Sequence, residues 1–486
     1  MKADADLYYR ALESKDRRFD GTFFVAVVTT GIYCRPICPA RTAKRKNVRF
    51  YACAAAAESA GFRPCRRCRP ETAPGSPAWA GTSATVSRAL RLIHEGALDG
   101  AGVDDLSDRL GVGSRHLRRL FDEHLGASPV AVAQSRRLHF ARQLVDETSL
   151  PMTEVAQLAG FSSVRRFNDA MRASFGRAPR ELRARAKTGS PADDGSVSLQ
   201  LAYRVPYDWD AMWAYLERRQ VPGVEIVADG AYRRSFVADG RPGWIAVRPD
   251  EERAVVRLRV SLSHRRSLMD IAERVRRLFD LHADPLRIAR ELGRDERLRR
   301  AVRRRPGLRV PGAWDPFELA VRAVLGQQVS VRGATTLAGR LVREQGEAID
   351  GAPDGGPTHL FPTAERLAEA NVAAVGMPEA RARAIRELAR RVAAGELSLS
   401  GGSSAEETQA KLLEIPGIGP WTAQYVTMRA LGHPDTFLPG DLGVRRALAN
   451  GSGRLPAARA AQERAEVWRP WRSYAVLHLW MEGADG

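Results

Sequence analysis

Residues 412–448 read "LLEIPGIGPWTAQYVTMRALGHPDTFLPGDLGVRRAL" and decide the fold of the C-terminal half of the chain. In the first part, "IPGIGP", Gly417 and Gly419 stand between two prolines. Glycine adopts backbone conformations that other residues avoid, so we expect a tight hairpin between two helices here. The amides of Gly417 and Gly419 would lie at the start of the second helix. There they can bind a phosphate group, and a carbonyl-bound monovalent cation can assist them.

Asp441 follows the hairpin by about twenty residues, in "LPGDLG". A lone aspartate before a helical stretch is most often a helix N-cap. A carboxylate in a cleft can instead stabilise a positively charged sugar while a base departs, or orient a water molecule. The residues around Asp441 alone favour the cap, whereas its spacing from the glycine hairpin favours the catalytic role.

Upstream of the hairpin, β-branched and aromatic residues alternate with turn residues, and this pattern predicts a small antiparallel sheet. The predicted strands are "SLQLAYRV" (198–205), "EIVADGAYRRSFVA" (225–238, with a turn), "WIAVRP" (244–249) and "AVVRLRVSL" (254–262). From about residue 265 to the end the pattern is helical, with a Gly/Pro-rich loop at 350–358.

Nearly all of residues 199–482 resembles the helix-hairpin-helix DNA glycosylases of the AlkA type, which remove 3-methyladenine. Besides the hairpin, the resemblance rests on "YRVPYDWDAMWAYL", "LFDLHADP", "RPGLRVPGAWDPFELAVRAVLGQQVS" and "WRPWRSYAVLHLWME". It implies that Asp441 is the catalytic carboxylate and that a damaged base leaves the duplex for a pocket. The pocket residues that it implies are Trp421, Tyr425, Trp480, Tyr215 and Gln328. Indole rings attract cationic N-alkylated purines.

Three further features of the sequence narrow the predicted chemistry. Thr422 stands 19 residues before Asp441, at a position where a lysine would give Schiff-base lyase chemistry, so we expect monofunctional hydrolysis. Gln328 stands where the resemblance implies an apolar wedge between bases, so the strength of the wedge and the substrate range depart from the family pattern. No cysteine follows Cys68, which excludes the iron–sulfur cluster of some relatives.

The length of the chain indicates how many domains to expect, and its net charge indicates the kind of partner. With 486 residues the chain is too long for one ordinary core, and three or four domains are expected. A net charge of +19 predicts a polyanionic partner, which the motifs identify as double-stranded DNA. No apolar run is long enough to span a membrane and the N-terminus has no apolar signal segment, so a cytoplasmic location is expected.

Two helix-turn-helix units are predicted between residues 103 and 183. The first turns at Gly111 and Gly113, with Ser114 as a suitable N-cap, and the second turns in "GFSS" (160–163). In tandem, with the ending "FGRAP", they resemble the AraC-type DNA-binding domain over roughly 84–186. Early residues of each second helix face the major groove in such motifs. The DNA-binding candidates are Arg115, His116, Arg118, Arg119, Arg165 and Arg166.

All five cysteines precede residue 69, and four of them form two close pairs. Cys34 and Cys38 are spaced C-x3-C, and Cys65 and Cys68 are spaced C-x2-C. Two such pairs supply the four thiolates that tetrahedral zinc prefers, whereas Cys53 lacks a partner at ligand spacing and is expected to be a small core residue. Spacing alone leaves open whether the zinc is only structural or whether one thiolate also reacts.

Residues 23–71, "FFVAVVTTGIYCRPICPAR…NVRFYACAAAAESAGFRPCRRCRPE", resemble the N-terminal domain of the Ada methylation-response proteins. The resemblance implies that Cys34 irreversibly accepts a methyl group from a methylated DNA phosphate while Cys38, Cys65 and Cys68 hold the zinc. It also implies DNA-phosphate contacts at Thr30, Arg41 and Arg67. Methylation would reduce the negative charge of the site from −2 to −1, which would strengthen binding to DNA by about tenfold or more.

The combined prediction is a multidomain, mainly α fold with α+β parts. We expect a zinc-binding methyl-acceptor domain (1–76), an AraC-type domain (83–187), an AlkA-like N-terminal α+β domain (199–284) and a helix-hairpin-helix glycosylase domain (285–486). The predicted function is to sense methylated DNA, activate transcription with RNA polymerase as a partner, and excise alkylated purines.

Two alternatives remain open at this point. The chain could be a transcription regulator whose glycosylase half binds DNA without catalysis. The cysteines could also form a purely structural zinc site beside a working glycosylase. Base release from methylated DNA tests the first alternative, and the mass of Cys34 after contact with methylated DNA tests the second.

Overall fold

A computed structural model describes residues 5–75, 84–184, 196–261, 267–350, 352, 355–399, 403–449 and 454–484. The chain forms two compact units. The first unit comprises Met1–Val205, Val247–Arg276 and Leu281–Ala283, and the second comprises Pro206–Ala246, Arg277–Asp280 and Asp284–Gly486. The predicted domain limits at 1, 76, 83, 187 and 486 lie outside the described residues, and the remaining limits stay predictions.

Helices dominate the chain and the strands are few and short, which confirms the predicted fold class. Up to residue 184 the elements are α1 (Ala5–Glu13), β1 (Phe24–Val27), β2 (Ile32–Cys34), β3 (Val48–Tyr51), α2 (Ala54–Ser59), β4 (Arg63–Pro64), α3 (Ala84–His94), α4 (Val103–Leu110), α5 (Ser114–Leu125), α6 (Pro129–Glu147), α7 (Met152–Leu158), α8 (Val164–Phe175) and α9 (Pro179–Arg183).

The rest of the chain begins with strands and continues with helices, as the sequence predicts. Its elements are β5 (Val197–Ala202), α10 (Trp209–Glu217), β6 (Glu225–Ala228), β7 (Ala231–Ala238), β8 (Arg241–Asp250), β9 (Val255–Val260), α11 (Leu268–Leu278), α12 (Pro285–Leu292), α13 (Glu296–Arg304), α14 (Pro316–Leu325), α15 (Val331–Gln345), α16 (Ala364–Glu369), α17 (Glu379–Ala393), α18 (Ala405–Leu413), α19 (Pro420–Arg429), α20 (Leu442–Ala447), α21 (Ala458–Ala465) and α22 (Arg472–Ala484). Among the described residues, no helix is long and apolar enough to cross a membrane.

A small sheet in the first unit brings the two cysteine pairs together. Its strand order is β3-β1-β2-β4, with β1 antiparallel to β2 and β3, and with β2 parallel to β4. Tyr33 pairs with Pro64 across the parallel strands. The next residues, Cys34 and Cys65, therefore lie side by side at the C-terminal ends of β2 and β4. This register explains why cysteines about thirty positions apart in sequence lie side by side.

Both helix-turn-helix units are present in the first unit. A glycine in the left-handed conformation follows the first helix of each unit, Gly111 after α4 with φ 67° and Gly160 after α7 with φ 74°. The second helices, α5 and α8, bury one apolar stripe each; Phe121 and Phe167 are fully buried. Ser114 is the first residue of α5 and Gly113 is the N-cap, so the predicted cap at Ser114 is wrong by one residue.

The strand predictions upstream of the glycosylase-like helices are confirmed for the described residues, and the predicted strand end at 262 lies outside them. In the first unit β5 and β9 form an antiparallel pair in which Leu199 lies opposite Leu258. In the second unit β6 and β7 form an antiparallel hairpin through Asp229 and Gly230, both in the left-handed conformation.

The core of the second unit is formed by α14, α15, α17, α18 and α19 with the segment after α10. Its fully buried residues include Val321, Leu341, Ile385, Leu412 and Val426. Helices α18 and α19 are joined through Glu414–Gly419 and form the predicted hairpin. Gly417 has φ 95° there, and a Cβ added to it would lie 3.1 Å from Ala384 Cβ, so this position requires glycine.

Candidate functional sites

The four paired cysteines form one cluster in the first unit. The Sγ atoms of Cys34, Cys38, Cys65 and Cys68 all lie within 4.8 Å of one another, and Cys38 Sγ is 4.0 Å from Cys65 Sγ. No cysteine forms a disulfide. Sulfur atoms on a tetrahedral zinc ion are about 3.8 Å apart, given Zn–S bonds of about 2.3 Å. The cluster therefore fits zinc, and the predicted ligand set is brought together.

Cys34 differs from the other three ligands in its exposure. Cys38, Cys65 and Cys68 are 6%, 9% and 7% exposed, whereas Cys34 is only half-buried. The backbone N–H of Arg35 donates to Cys68 Sγ over 3.3 Å, which stabilises that sulfur as a thiolate. An incoming group can reach Cys34 more easily than the other three sulfur atoms.

A cavity of about 1010 Å³ opens beside Cys34. Thr30, Arg41 and Arg67, the three residues predicted to contact DNA phosphate, all line it, and all three are exposed. Lys44, Lys46 and Arg63 line it as well. Basic side chains therefore surround the cavity beside the half-buried Cys34, which suits a phosphate group.

Arg35 holds the loop between the first two cysteines, a role that the sequence analysis did not assign. Its guanidinium group forms an ion pair with the buried Asp20 carboxylate and donates to the Cys68 carbonyl over 3.1 Å and to Thr72 Oγ1 over 2.7 Å. A partly buried guanidinium with these partners fixes the backbone next to Cys34. The sequence offers only one signal for it, the position of Arg35 inside the C-x3-C loop.

Cys53 lies apart from the cluster, as predicted. Its Sγ donates to the Leu125 carbonyl over 3.6 Å, and the residue packs among apolar side chains. Burial raises the pKa of Cys53 to about 11, so this thiol stays protonated at neutral pH.

The predicted DNA-reading residues of the two helix-turn-helix units are all exposed. Arg115, His116, Arg118 and Arg119 lie in the first turns of α5, and Arg165 and Arg166 lie in the first turn of α8. Ser163 caps α8 by accepting from the Arg166 backbone N–H over 3.2 Å. Both helices thus present basic N-terminal turns, the end that enters the major groove in such motifs.

Asp441 accepts three hydrogen bonds in the second unit. The indole N–H groups of Trp421 and Trp480 donate to its two oxygens over 2.7 and 2.9 Å. The Val444 backbone N–H donates to Oδ1 over 2.9 Å, so Asp441 is also the N-cap of α20. Both interpretations of this aspartate, as a helix cap and as part of an aromatic site, hold in the same structure.

The predicted pocket aromatics surround one cavity of about 740 Å³. Tyr215, Trp421, Tyr425, Trp480 and Asp441 all line it. Trp421 and Tyr425 stack with ring centroids 5.1 Å apart and planes 11° apart, because they are four residues apart on α19. The exposed Gln328 does not line this cavity; it lies on the adjacent turn with φ 56°.

Three arginines also line this cavity, and the sequence analysis did not predict them as site residues. Arg219, Arg322 and Arg429 line the cavity, and the buried Arg429 donates to the hydroxyls of Tyr215 and Tyr425. Arg429 follows Tyr425 by four residues on α19, and this helical spacing is the signal that could have identified it.

The glycine hairpin offers two free amides near the cavity. Among the described residues, the backbone N–H groups of Gly417 and Gly419 donate to no backbone acceptor. Gln327 joins the hairpin to the turn before α15: its Nε2 donates to the Gly417 carbonyl over 2.9 Å and to Thr422 Oγ1 over 3.0 Å. Two unpaired amides at a helix start suit a phosphate.

Comparison with protein families matches four segments of the chain. They are the metal binding domain of Ada (residues 7–71), a helix-turn-helix domain (106–185), the AlkA N-terminal domain (198–315) and the HhH-GPD superfamily base excision DNA repair protein (321–473). The cluster of four cysteines lies in the first of these segments, and the Asp441 cavity lies largely in the last.

Individual relatives extend over different parts of the chain. A probable bifunctional transcriptional activator/DNA repair enzyme AlkA of Mycobacterium tuberculosis (strain CDC 1551 / Oshkosh) is 46% identical over 99% of this chain and 97% of its own length. DNA-3-methyladenine glycosylase 2 of Escherichia coli (strain K12) is 39% identical over 58% of this chain and 95% of its own. The solved 3-methyladenine DNA-glycosylase from Archaeoglobus fulgidus is 25% identical with a TM-score of 0.53, covering 59% of this chain and 98% of that one.

Proposed function

Because the chain belongs to the family of bifunctional transcriptional activator/DNA repair enzymes AlkA, we propose that it combines two activities on methylated DNA. One is a monofunctional DNA glycosylase that releases N-alkylated purines of the 3-methyladenine type. The other is a single-turnover methyl transfer to Cys34 that switches on transcription. Double-stranded DNA is the partner of both activities.

The glycosylase proposal rests on the Asp441 carboxylate in its aromatic cavity beside the hairpin amides. Gly417 and Gly419 bind a phosphate of the duplex, and the damaged nucleotide turns out of the stack into the cavity. The bond between the sugar and the base nitrogen then breaks, its electron pair leaves with the base, and positive charge develops on the sugar. Asp441 stabilises that charge, and water adds to the sugar with loss of a proton.

The two tryptophans act as positioning residues for Asp441. Their N–H groups each donate to one carboxylate oxygen, which fixes the plane of the carboxylate. Schiff-base chemistry needs a lysine on α19 at position 422. Thr422 occupies that position and is buried, so the lyase reaction has no amine nucleophile there. Hydrolysis without strand cleavage follows.

Base release from duplex DNA containing 7-methylguanine tests the glycosylase under single-turnover conditions. Asp441→Asn keeps an N-capping side chain for α20 but removes the charge, and we expect it to slow release by about a hundredfold or more. Equal release by Asp441→Asn and the wild type, or none by either, contradicts the proposal and favours a regulator that binds without catalysis.

The methyl-acceptor proposal rests on the half-buried state of Cys34 among three buried ligands. Zinc, when bound by Cys34, Cys38, Cys65 and Cys68, would keep the sulfur atoms deprotonated. Thr30, Arg41 and Arg67 hold the methylated phosphate in the basic cavity. Cys34 Sγ attacks the methyl carbon, an S–C bond forms, and the C–O bond breaks with its electrons passing to the phosphodiester, which becomes anionic.

Mass spectrometry of the full chain after incubation with DNA bearing methylphosphotriesters tests this proposal. We expect one added methyl group, located on the Cys34 peptide, and none in Cys34→Ser. Cys53→Ser is the matched control and is expected to accept the methyl group like the wild type. A persistently unmethylated Cys34 contradicts the proposal and leaves a structural zinc site.

The change in charge on methylation of Cys34 is the proposed cause of transcription activation. Methylation removes one negative charge beside the basic cavity, which strengthens phosphate contacts, and α5 and α8 read the operator. RNA polymerase is the proposed partner at the promoter, and the cytoplasm is the proposed location because the DNA of the bacteria that carry the similar proteins lies there. Salt-dependent operator binding by the methylated and unmethylated chains tests the switch; equal affinities contradict it.

A monovalent cation at the hairpin carbonyls is the last element of the proposal. It would complement the phosphate bound by Gly417 and Gly419. Replacement of potassium by tetramethylammonium at constant ionic strength should weaken binding of abasic duplex DNA, and unchanged affinity contradicts the cation.

A further inference from the structure

The first unit contains a second group of metal-ligating side chains, distinct from the four cysteines. It consists of His94, the last residue of α3, Glu273 on α11, and His282 in the segment that follows α11. One ligand atom of each residue lies within 4.8 Å of the other two. All three residues belong to the first unit, although they are far apart in sequence. Neither of the activities proposed above uses them.

The two histidines converge on one carboxylate oxygen. Glu273 Oε1 lies 2.9 Å from His282 Nε2 and 3.9 Å from His94 Nδ1. The first distance is that of a hydrogen bond, whereas the second is too long for one. Ligand atoms on a tetrahedral zinc ion are about 3.3 Å apart, given Zn–N and Zn–O bonds of about 2.0–2.1 Å. The two observed distances lie on either side of this value, so small shifts of the side chains would bring all three atoms onto one ion.

Both imidazole rings have ring nitrogens without a hydrogen-bond partner. His282 Nδ1 is a buried atom that has none. The ring of His94 forms no hydrogen bond with the residues that the structure describes, and its Nδ1 only faces the Glu273 carboxylate at the longer distance. Buried polar atoms in proteins almost always have a partner, so the few hydrogen bonds of this histidine pair call for a ligand.

Glu273 is oriented to offer a single oxygen. The residue is buried, and its other oxygen, Oε2, pairs with Arg276 Nη1 over 3.6 Å. This ion pair directs Oε1 to the histidines, as outer-shell partners orient the ligands of metal sites. The side chains of His94 and His282 are 25% and 18% exposed. An ion can therefore enter from solvent and keep a water molecule as its fourth ligand.

We propose that His94, Glu273 and His282 form a second metal site, which binds one zinc ion. Two imidazole nitrogens and one carboxylate oxygen are a ligand set that zinc accepts, whereas magnesium and calcium prefer oxygen ligands alone. The site shares no residue with the cysteine cluster or with the Asp441 cavity. It does not depend on the methyl-acceptor and glycosylase activities proposed above.

The second ion stabilises the first unit. Its ligands come from the end of α3, which precedes the first helix-turn-helix unit, from α11 and from the segment after α11. These residues are together only in the folded chain, so zinc binds the folded state and shifts the folding equilibrium toward it. Zinc above one equivalent should therefore raise the melting temperature of the wild type.

The test counts zinc in the full chain after dialysis against low-micromolar free zinc. We expect two ions in the wild type, one at the cysteines and one at the second site. Glu273→Gln keeps the shape of the side chain and an acceptor for His282 but removes the charged ligand, and His94→Ala removes one imidazole. Each variant should bind one ion, with its affinity for a second lowered by about a hundredfold or more, and should lose the rise in melting temperature.

Two controls make this result specific. His124→Gln removes a half-buried imidazole from α5 in the same unit and should keep both ions. The ion that Glu273→Gln and His94→Ala retain at the cysteines, with an unchanged far-UV circular dichroism spectrum, shows that these variants are folded.

Cobalt(II) identifies the ligands by spectroscopy. Cobalt bound by thiolates gives intense charge-transfer absorption, whereas cobalt bound by nitrogen and oxygen gives only weaker d–d bands. Cobalt added to wild-type chain that holds one equivalent of zinc at its cysteines should give d–d bands without charge-transfer absorption. Glu273→Gln should not give the bands of bound cobalt.

Three outcomes contradict the second site. The first is a wild type that binds only one zinc ion. The second is a pair of variants, His94→Ala and Glu273→Gln, that both keep two ions, because the second ion would then lie at other residues. The third is charge-transfer absorption from the added cobalt, which would assign it to thiolates.

Discussion

Asp441 shows how one side chain can serve the fold and the site together. It caps α20 through the Val444 amide while its two oxygens hold the indole groups of Trp421 and Trp480. The sequence indicates each of these residues separately, through the cap position and the family resemblance. It does not indicate that the tryptophans donate to the aspartate, because that contact depends on how α19, α20 and α22 pack.

Gly443 allows this arrangement to form. A Cβ added to Gly443 would lie 3.1 Å from Trp480 Cδ1 and 3.2 Å from Asp441 Oδ1. Gly443→Ala favours helix α20 by propensity but must displace these two groups by a few tenths of an ångström. We expect unchanged or higher thermal stability and base release slowed by about tenfold, measured by single-turnover kinetics.

Gly440→Ala is the matched control for this prediction. Nothing lies within 4 Å of a Cβ added at Gly440, in the same loop. The same activity in both alanine variants would show that the Trp480–Asp441 contact does not need the space at Gly443.

At the scale of elements, the sequence predicts most of the strands and helices but not all of their contacts. The strands of 197–260, the tandem helix-turn-helix units and the glycine hairpin follow from periodicity and turn residues, and all are present. The parallel pairing of β2 with the two-residue β4 has no sequence signal, although it sets Cys34 beside Cys65. The cavity arginines Arg219, Arg322 and Arg429 were not predicted either, because some of their partners, such as Tyr215 for Arg429, are distant in sequence.

The contact between α6 and β5 makes stability depend on pH. Glu147, the last residue of α6, accepts from the Gln200 backbone N–H over 2.9 Å and from Gln143 Nε2 over 3.0 Å. Burial raises the pKa of Glu147 from 4.5 to about 7. The folded state therefore holds a proton that the unfolded state releases between these two values, and the free energy of unfolding falls as pH rises through this window.

Glu147→Gln should remove this dependence, because the amide is neutral at every pH. We expect the variant to match the wild type at about pH 4.5 and to be more stable by about 1–3 kcal/mol above about pH 7. Urea unfolding of both proteins across the window measures the difference. A constant difference between the two proteins, or a wild type that gains stability relative to the variant as pH rises, contradicts the assignment.

At the scale of the whole molecule, one buried arginine joins distant segments of the first unit. Arg204 has 0% exposure and donates to the carbonyls of Asp20, Pro74, Gly75, His282 and Ala283 at distances of 2.7 to 3.4 Å. The carbonyl of Asp20 accepts from Arg204 while its carboxylate pairs with Arg35 beside Cys34. The sequence places Arg204 in a predicted strand and gives no sign of this role.

Arg204→Leu should destabilise the first unit by about 3 kcal/mol or more, because it leaves several buried carbonyls without donors. Hydrogen exchange of amides in β1 and β5 measures the loss of protection. Amides of α19 in the second unit serve as the internal control and are expected to keep theirs. Equal protection of β1 in variant and wild type would contradict the role of Arg204.

The central claim is that one chain carries a methyl acceptor and a glycosylase that work through different residues. The most direct measurement incubates each protein with one duplex that bears methylphosphotriesters and 7-methylguanine, and then follows the mass of the chain and the released base together. We expect Cys34→Ser to release base at the wild-type rate without gaining a methyl group. Asp441→Asn should gain the methyl group and release base about a hundredfold more slowly or worse. Base release by Asp441→Asn at the wild-type rate, or methylation of Cys34→Ser, would contradict the account.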